Sequence, residues 1–227
     1  MAMELYTGFV GSGKTYHAVA SCLSVASAKM GTGYVIANIR IHETKGFFNL
    51  MKSKPPERWI YQNTEDITIE YLIRMSIEKE FYKKQGSCVL IIDEAGVPFN
   101  ARTQTRDPER LTWIKFFSQH RHFGYDIILV AQDSSMIDGQ VAKLCEYEVS
   151  HRVLNNWKAF KILNLFRIKV FMHLSYWNGI NKRREKASLG LGILRKSVAR
   201  KYNTMALADK IDLETFDFEE WKASNFN

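Results

Sequence analysis

Long hydrophobic runs are missing from this chain. The most apolar late segment, residues 160–177, is interrupted by Lys161, Arg167 and Lys169. No stretch reaches the roughly 18 uninterrupted apolar residues that a helical membrane span requires. The start, Met1-Ala2-Met3-Glu4-Leu5-Tyr6, has neither the basic nor the apolar region of a secretory signal. The expectation is a soluble chain made in the cytoplasm. Proline is scarce, at 4 of 227 residues, and glycine stands at 13, which excludes collagen-like and low-complexity classes. Cysteine is scarcer still. Cys22, Cys88 and Cys145 are odd in number, far apart and set in apolar runs, so they read as buried reduced thiols rather than a disulfide or metal site. No internal repeat is visible.

The chain has enough apolar residues, 46%, to bury a core without staples. Its charge is +8, which suits an anionic partner such as nucleic acid, nucleotide phosphates or a membrane surface. That charge is unevenly placed. Residues 151–202 hold thirteen Lys or Arg and a single acid, Glu185, making a +12 block beside a remainder of −4. An acidic stretch follows, from Asp209 to Glu220.

The first two thirds alternate between strand and helix patterns. Strands are expected at Met3–Thr7, Tyr34–Ala37, 58–62, Cys88–Ile92, 127–131 and 146–153. Helices are expected at 14–29, 66–84 and 108–123, the last turning Leu111, Ile114, Phe116 and Phe117 inward. Such alternation predicts an α/β fold with a mostly parallel central sheet flanked by helices. Residues 159–163 and 167–176 then suggest a hairpin around Asn164 at the sheet edge. The expected division is a core at 3–153, a basic edge extension at 154–202 and an acidic tail at 203–227.

The strongest chemical signal is Gly8-Phe9-Val10-Gly11-Ser12-Gly13-Lys14-Thr15. It matches G-x-x-x-x-G-K-[ST], placed after the first strand and before the first helix, so it reads as a phosphate loop opening a P-loop NTPase fold. Residues 8–15, with Tyr16 next, are the candidate nucleotide-binding set. Glycines let amide N–H groups turn inward around an anion, and the helix N-terminus adds partial positive charge. Lys14 is expected to reach the β- and γ-phosphates of ATP, and Thr15 to give its hydroxyl to Mg²⁺.

Asp93 ends the apolar run Cys88–Ile92 and is the expected second Mg²⁺ residue. Glu94, one residue on, is placed to orient or deprotonate an attacking water. Gln132 ends the next buried run and falls on the nucleotide crevice, where it is expected to touch the γ-phosphate or the water; a plain strand-ending polar residue is the alternative. Transition-state charge calls for an arginine. Arg102, with Arg106 nearby, and Arg121 are the candidates, although Arg121 also suits a helix C-terminus as a simple dipole partner. His17, His120 and His122 show no metal-ligand spacing.

Several segments together resemble the zonula-occludens-toxin-like domain, the cytoplasmic ATPase domain of the gene I assembly protein of filamentous phages. They are Leu5-Tyr6-Thr7-Gly8, Gly11-Ser12-Gly13-Lys14-Thr15, Val35-Ile36-Ala37-Asn38-Ile39, Ile91-Ile92-Asp93-Glu94-Ala95, 118–127 and Val130-Ala131-Gln132. Within 118–127, His120-Arg121-His122-x-Gly124-x-Asp126 is the most specific part. Where family strands often end in Thr-Gln, this chain has Ala131-Gln132. The resemblance implies an ATP- and Mg²⁺-dependent motor of the HerA/FtsK branch, forming a homo-oligomeric ring, expected to be hexameric, with an arginine in trans. It further implies work in virion assembly and extrusion at the cytoplasmic face of the host inner membrane, with phage coat and assembly proteins, and phage single-stranded DNA, as partners. Family members continue into a membrane span and an outer domain, so the full-length protein is expected to be anchored, and no toxin activity is expected of this segment. The +12 block then reads as a cytoplasmic flank of a span or as a face for DNA, with Trp157, Phe160 and Trp177 as stacking candidates. A DNA translocase or packaging ATPase, a small nucleotide kinase and a nucleotide-switched interaction module are the competing readings.

Overall fold

A computed structural model describes residues 3–27, 33–45, 52–102, 108–156, 169–178 and 184–202. Among the described residues ten strands appear in chain order: β1 Met3–Thr7, β2 Tyr34–Ala37, β3 Thr44–Lys45, β4 Lys52–Ser53, β5 Trp59–Tyr61, β6 Cys88–Ile92, β7 Tyr125–Val130, β8 Tyr147–Val153, β9 Val170–Asn178 and β10 Arg184–Ile193. The helices are α1 Lys14–Ala26, α2 Ile69–Glu78, α3 Arg110–Gln119, α4 Gly139–Leu144 and α5 Lys196–Ala199.

Eight strands form one sheet in the order β10-β9-β8-β1-β7-β6-β2-β5. From β8 to β5 every pairing is parallel. The edge pairings β8–β9 and β9–β10 are antiparallel. Alternating side chains divide the core between the two faces. On one face Val35, Ala37, Val89, Ile91, Ile128, Val130 and Val149 pack against Ala18, Val19, Cys22 and Ala26 of α1. On the other, Leu5, Ile36, Leu90, Ile92, Ile127 and Leu129 meet Leu72 of α2 and Trp113, Phe116 and Phe117 of α3. Strands covered on both sides must be apolar throughout, and β6 and β7 are buried at every residue. All three cysteines are free and buried. Burial pushes the Cys22 thiol up to about 11 and Cys145 to about 12, so both stay protonated and inert.

Three expectations are corrected. The single helix at 66–84 is broken: α2 stops at Glu78, Glu80 takes a left-handed φ of 58°, and Phe81–Lys83 forms a separate 3₁₀ turn. The apolar spacing carries on because Phe81 drops into the same core. In α3, Phe116 and Phe117 are buried and Ile114 packs against the same core as expected, but Leu111 is exposed and Trp113 is buried instead. The hairpin joins Val170–Asn178 to Arg184–Ile193, later than the turn expected at Asn164. The expected strand 159–163, Arg106, Trp157, Phe160 and the acidic tail 203–227 lie outside the described residues. Among the described residues no helix is long and apolar enough to cross a membrane.

Candidate functional site

The C-terminal ends of β1, β7, β6 and β2 lie side by side, and each delivers one piece of the site. After β1 the chain turns through the glycine loop into α1. Gly8 donates its N–H to the carbonyl of Gln132, 3.0 Å away, which ties the loop to the end of β7. Gly8 cannot carry a side chain, because a Cβ there would lie 2.5 Å from the His151 carbonyl oxygen. Gly13 caps α1 with φ 92°, and a Cβ there would strike the Phe171 ring at 2.7 Å. No side chain caps this helix, so its first-turn N–H groups face the loop, where an anion would accept them. Ser12 has a buried hydroxyl with no hydrogen-bond partner, another polar group left for a ligand in the cradle.

Lys14 folds over the loop and donates to the carbonyls of Gly8 (2.7 Å) and Phe9 (3.1 Å). Burial lowers its pKa, against the pull of the Asp93 and Glu94 carboxylates. Thr15 donates its hydroxyl to Asp93 Oδ2 at 3.0 Å. Burial raises the Asp93 carboxyl; the bonds from the Thr15 hydroxyl and the Glu94 N–H oppose that rise, the Glu94 carboxylate adds to it and Lys14 subtracts from it. Two hard oxygen donors meeting beneath a phosphate-sized nest are the donor set Mg²⁺ prefers.

Glu94 stands at the mouth of the site. It is exposed, adopts a left-handed φ of 53° and donates its N–H to Asp93 Oδ1. Gln132 is exposed beside Gly8. Arg102 is exposed in the loop after Glu94, with its backbone N–H on Asn100 Oδ1. Arg121 is elsewhere. It pairs with Glu146, whose N–H bonds the carbonyl of Met3, so it sits at the start of β1 while the phosphate loop leaves the opposite end. Tyr16 turns its side chain away from the loop. Its hydroxyl donates to the Ile193 carbonyl (3.0 Å) and accepts from Arg195 N–H (2.9 Å).

Three features had no motif. Asn38, just past β2, bonds both polar groups of the Asp93 backbone. Phe171 of β9 buttresses Gly13 and lies tilted against the Tyr16 ring. His17 of α1, which had no partner by spacing, meets His151 of β8 (Nδ1 to Nε2, 2.9 Å) and stacks on His173 of β9. Burial holds His17 down to about 4 and His151 to about 3, each reinforced by a neighbouring histidine. Among the described residues no cluster of His, Cys, Asp and Glu could hold a metal ion. Only the rule that a polar residue ends a buried strand could have singled out Asn38.

The sequence profile of the Zonular occludens toxin (Zot) family matches residues 2–175. The Gene 1 protein of Escherichia phage If1 is 30% identical over 160 residues, covering 68% of this chain and 42% of that protein. The Gene 1 protein of Enterobacteria phage M13 is 30% identical over 158 residues, covering 68% and 43%. The chain therefore spans less than half the length of these relatives. Among solved structures, the N-terminal domain of zonular occludens toxin from Neisseria meningitidis aligns with TM-score 0.47 at 21% identity, covering 89% of this chain and 100% of that one. The genome packaging NTPase B204 from Sulfolobus turreted icosahedral virus 2 aligns with TM-score 0.48 at 16% identity, covering 86% and 97%. With three quarters of its residues inside the matched profile, and with the glycine loop and Asp93 brought together in space, the chain belongs to the zonular occludens toxin (Zot) family.

Proposed function

We propose that this chain hydrolyses ATP to ADP and phosphate, as the motor domain that drives filamentous phage assembly and extrusion at the host inner membrane. The observation that carries the reading is the Thr15–Asp93 contact at 3.0 Å beneath an uncapped helix N-terminus. An incoming triphosphate replaces the Gly8 and Phe9 carbonyls as the partner of Lys14 and takes the N–H groups of the first turn of α1. Thr15 and Asp93 would hold Mg²⁺, which when bound neutralises charge on the phosphate oxygens. Glu94 has a carboxylate that Asp93 does not share, so it is available to orient water and accept its proton. Gln132 lies across the loop from Lys14 and is the candidate that reports the γ-phosphate. A water nucleophile beside the Asp93–Glu94 pair favours hydrolysis over phosphoryl transfer to a second substrate.

The working unit under this reading is a ring of copies. A head-to-tail contact presents a different surface of the next copy to each site. Arg121, far from its own loop, suits that role once it leaves Glu146; Arg102 lies nearer its own site. Exposed Lys169, Arg195, Lys196 and Arg200 support an anionic partner, with phage DNA the leading candidate. The decisive experiment compares nucleotide binding and phosphate release in Lys14→Ala and Glu94→Gln. Lys14→Ala is expected to bind no ATP. Glu94→Gln is expected to bind ATP and stop turnover; full turnover in Glu94→Gln refutes the base assignment. Restored activity on mixing Arg121→Ala with Lys14→Ala subunits, beyond simple dilution, identifies the trans arginine.

A further inference from the structure

Asn38 occupies a position that the nucleotide chemistry does not explain. β2 last pairs with β6 at Ala37 opposite Ile91. Beyond that point β2 bends away, and the backbone bond from Asn38 N–H to the Ile91 carbonyl is already stretched to 3.4 Å. Asp93, two residues further along, would lose its strand partner there. The Asn38 side chain replaces it. Its Oδ1 accepts the Asp93 N–H at 2.7 Å, and its Nδ2 donates to the Asp93 carbonyl at 2.9 Å. One carboxamide thus satisfies both backbone groups of a single residue, as a neighbouring strand would. The same Nδ2 donates to Thr64 Oγ1 at 2.8 Å, which fixes the amide from a third side.

The residue held in this way is the hinge of the acid pair. Directly after it, Glu94 adopts φ 53°, a left-handed conformation that a non-glycine residue rarely takes and that persists only where its surroundings enforce it. Ala95 N–H is fixed to the Val130 carbonyl at 2.8 Å on the far side of the turn. The turn is therefore clamped before and after Glu94, by a side chain on one side and by β7 on the other. With the Asn38 clamp removed, the Asp93 peptide is unpaired and free to rotate, and rotation carries the carboxylate off Thr15.

We infer that Asn38 is a positioning residue: its carboxamide pins the Asp93 peptide so that Asp93 faces Thr15 while Glu94 faces the nucleotide. The inference rests on the roles proposed above for Asp93 and Glu94. The chemistry allows few substitutes. Leucine matches the size and makes neither bond. Aspartate keeps an acceptor for the Asp93 N–H, loses both donations and sets a second negative charge beside Asp93.

The test begins without nucleotide. Amide hydrogen exchange is measured in wild type, Asn38→Leu and Asn38→Asp, with thermal unfolding as the check on folding. The Asp93 amide is expected to exchange at least about tenfold faster in Asn38→Leu, with Leu90 and Ile36 unchanged, since opening free energies are local. In Asn38→Asp the Asp93 amide stays protected, which keeps the test alive if the leucine variant does not fold. Turnover is then measured against Mg²⁺ concentration. Asn38→Leu is expected to need roughly tenfold more Mg²⁺ and to lose roughly ten- to a hundredfold in kcat, with affinity for metal-free ATP within about twofold. An Asp93 amide as protected in Asn38→Leu as in wild type overturns the inference, and so does an unshifted Mg²⁺ curve. If wild type itself shows no Mg²⁺-dependent turnover, the ATPase reading falls, and the exchange data alone decide the role of Asn38.

Discussion

The parallel interior of the sheet and its antiparallel edge are built from the same kind of strand and do different work. β6 and β7 are short and buried on both faces. β9 and β10 are longer, at nine and ten residues, and asymmetric. Their inner face carries Phe171 against Gly13 and His173 against His17. Opposite His173 stands Gly190, where a Cβ would collide with the imidazole. The outer face pairs Leu189 with Leu174, Leu191 with Met172 and Ile193 with Val170, and the three β10 residues are between 53% and 66% exposed. The interior supplies the acids and the loop; the edge hairpin supports that loop from the side. The basic region is therefore no detached appendage, because its inner residues touch the phosphate loop directly.

The sharpest break is Gly13→Ala. A methyl there must enter the Phe171 ring, and the backbone must keep φ 92°. ATP affinity is expected to fall more than about a hundredfold, roughly 3 kcal/mol. Phe171→Ala alone is expected to destabilise the fold by about 3 kcal/mol and to weaken ATP binding by roughly tenfold through the unsupported loop. The double variant separates the two causes. It relieves the collision and leaves the φ strain, so it is expected to bind ATP better than Gly13→Ala alone. Isothermal titration of all three measures the coupling; strictly additive losses would show that the edge does not support the loop.

The interior was far more legible in sequence than the edge. A strand buried on both faces reads as an unbroken apolar run, and Cys88–Ile92 shows one bounded by Gly86 and Asp93. The phosphate loop and Asp93 follow from local pattern alone, and the structure brings Thr15 and Asp93 together. β10 was hidden by its own composition. Lys182 and Arg183 precede it, Arg184 opens it, and Gly190 and Gly192 lie within it, which is loop chemistry by the usual signs. The glycine at 190 is there because His173 fills the space, a fact about another strand. His17, His151 and His173 are remote in sequence and meet only through α1, β8 and β9. The pairing of Arg121 with Glu146 is likewise a contact between residues remote in sequence.

A smaller effect tests the same seam by pH. His151 is buried and neutral, with its pKa near 3 against an ordinary value near 6.5. The unfolded chain binds that proton more readily, so stability is full above about pH 6.5 and falls as the pH drops toward 3. Between pH 7 and 5 the loss from this residue is about 2 kcal/mol. Chemical denaturation at the two pH values measures it. In His151→Gln the acid-dependent part is expected to shrink by that amount, whatever the variant's stability at pH 7. An acid limb as steep as in wild type would mean that other groups control the seam.

The smallest expected effect lies on the outer face of the hairpin. Leu191 is 66% exposed and Ile91 is 0% exposed, although both are aliphatic residues in mid-strand. Ile91→Ala removes packed contacts between β6 and α1 and is expected to cost 2–5 kcal/mol. Leu191→Ser removes a side chain already largely in water and is expected to change stability by no more than about 0.5 kcal/mol, with ATP affinity unchanged. Urea denaturation of the two variants side by side reads the difference directly. A loss in Leu191→Ser approaching that of Ile91→Ala would mean that the outer face is covered in solution. The division of the hairpin into a working inner face and an open outer one would then fail.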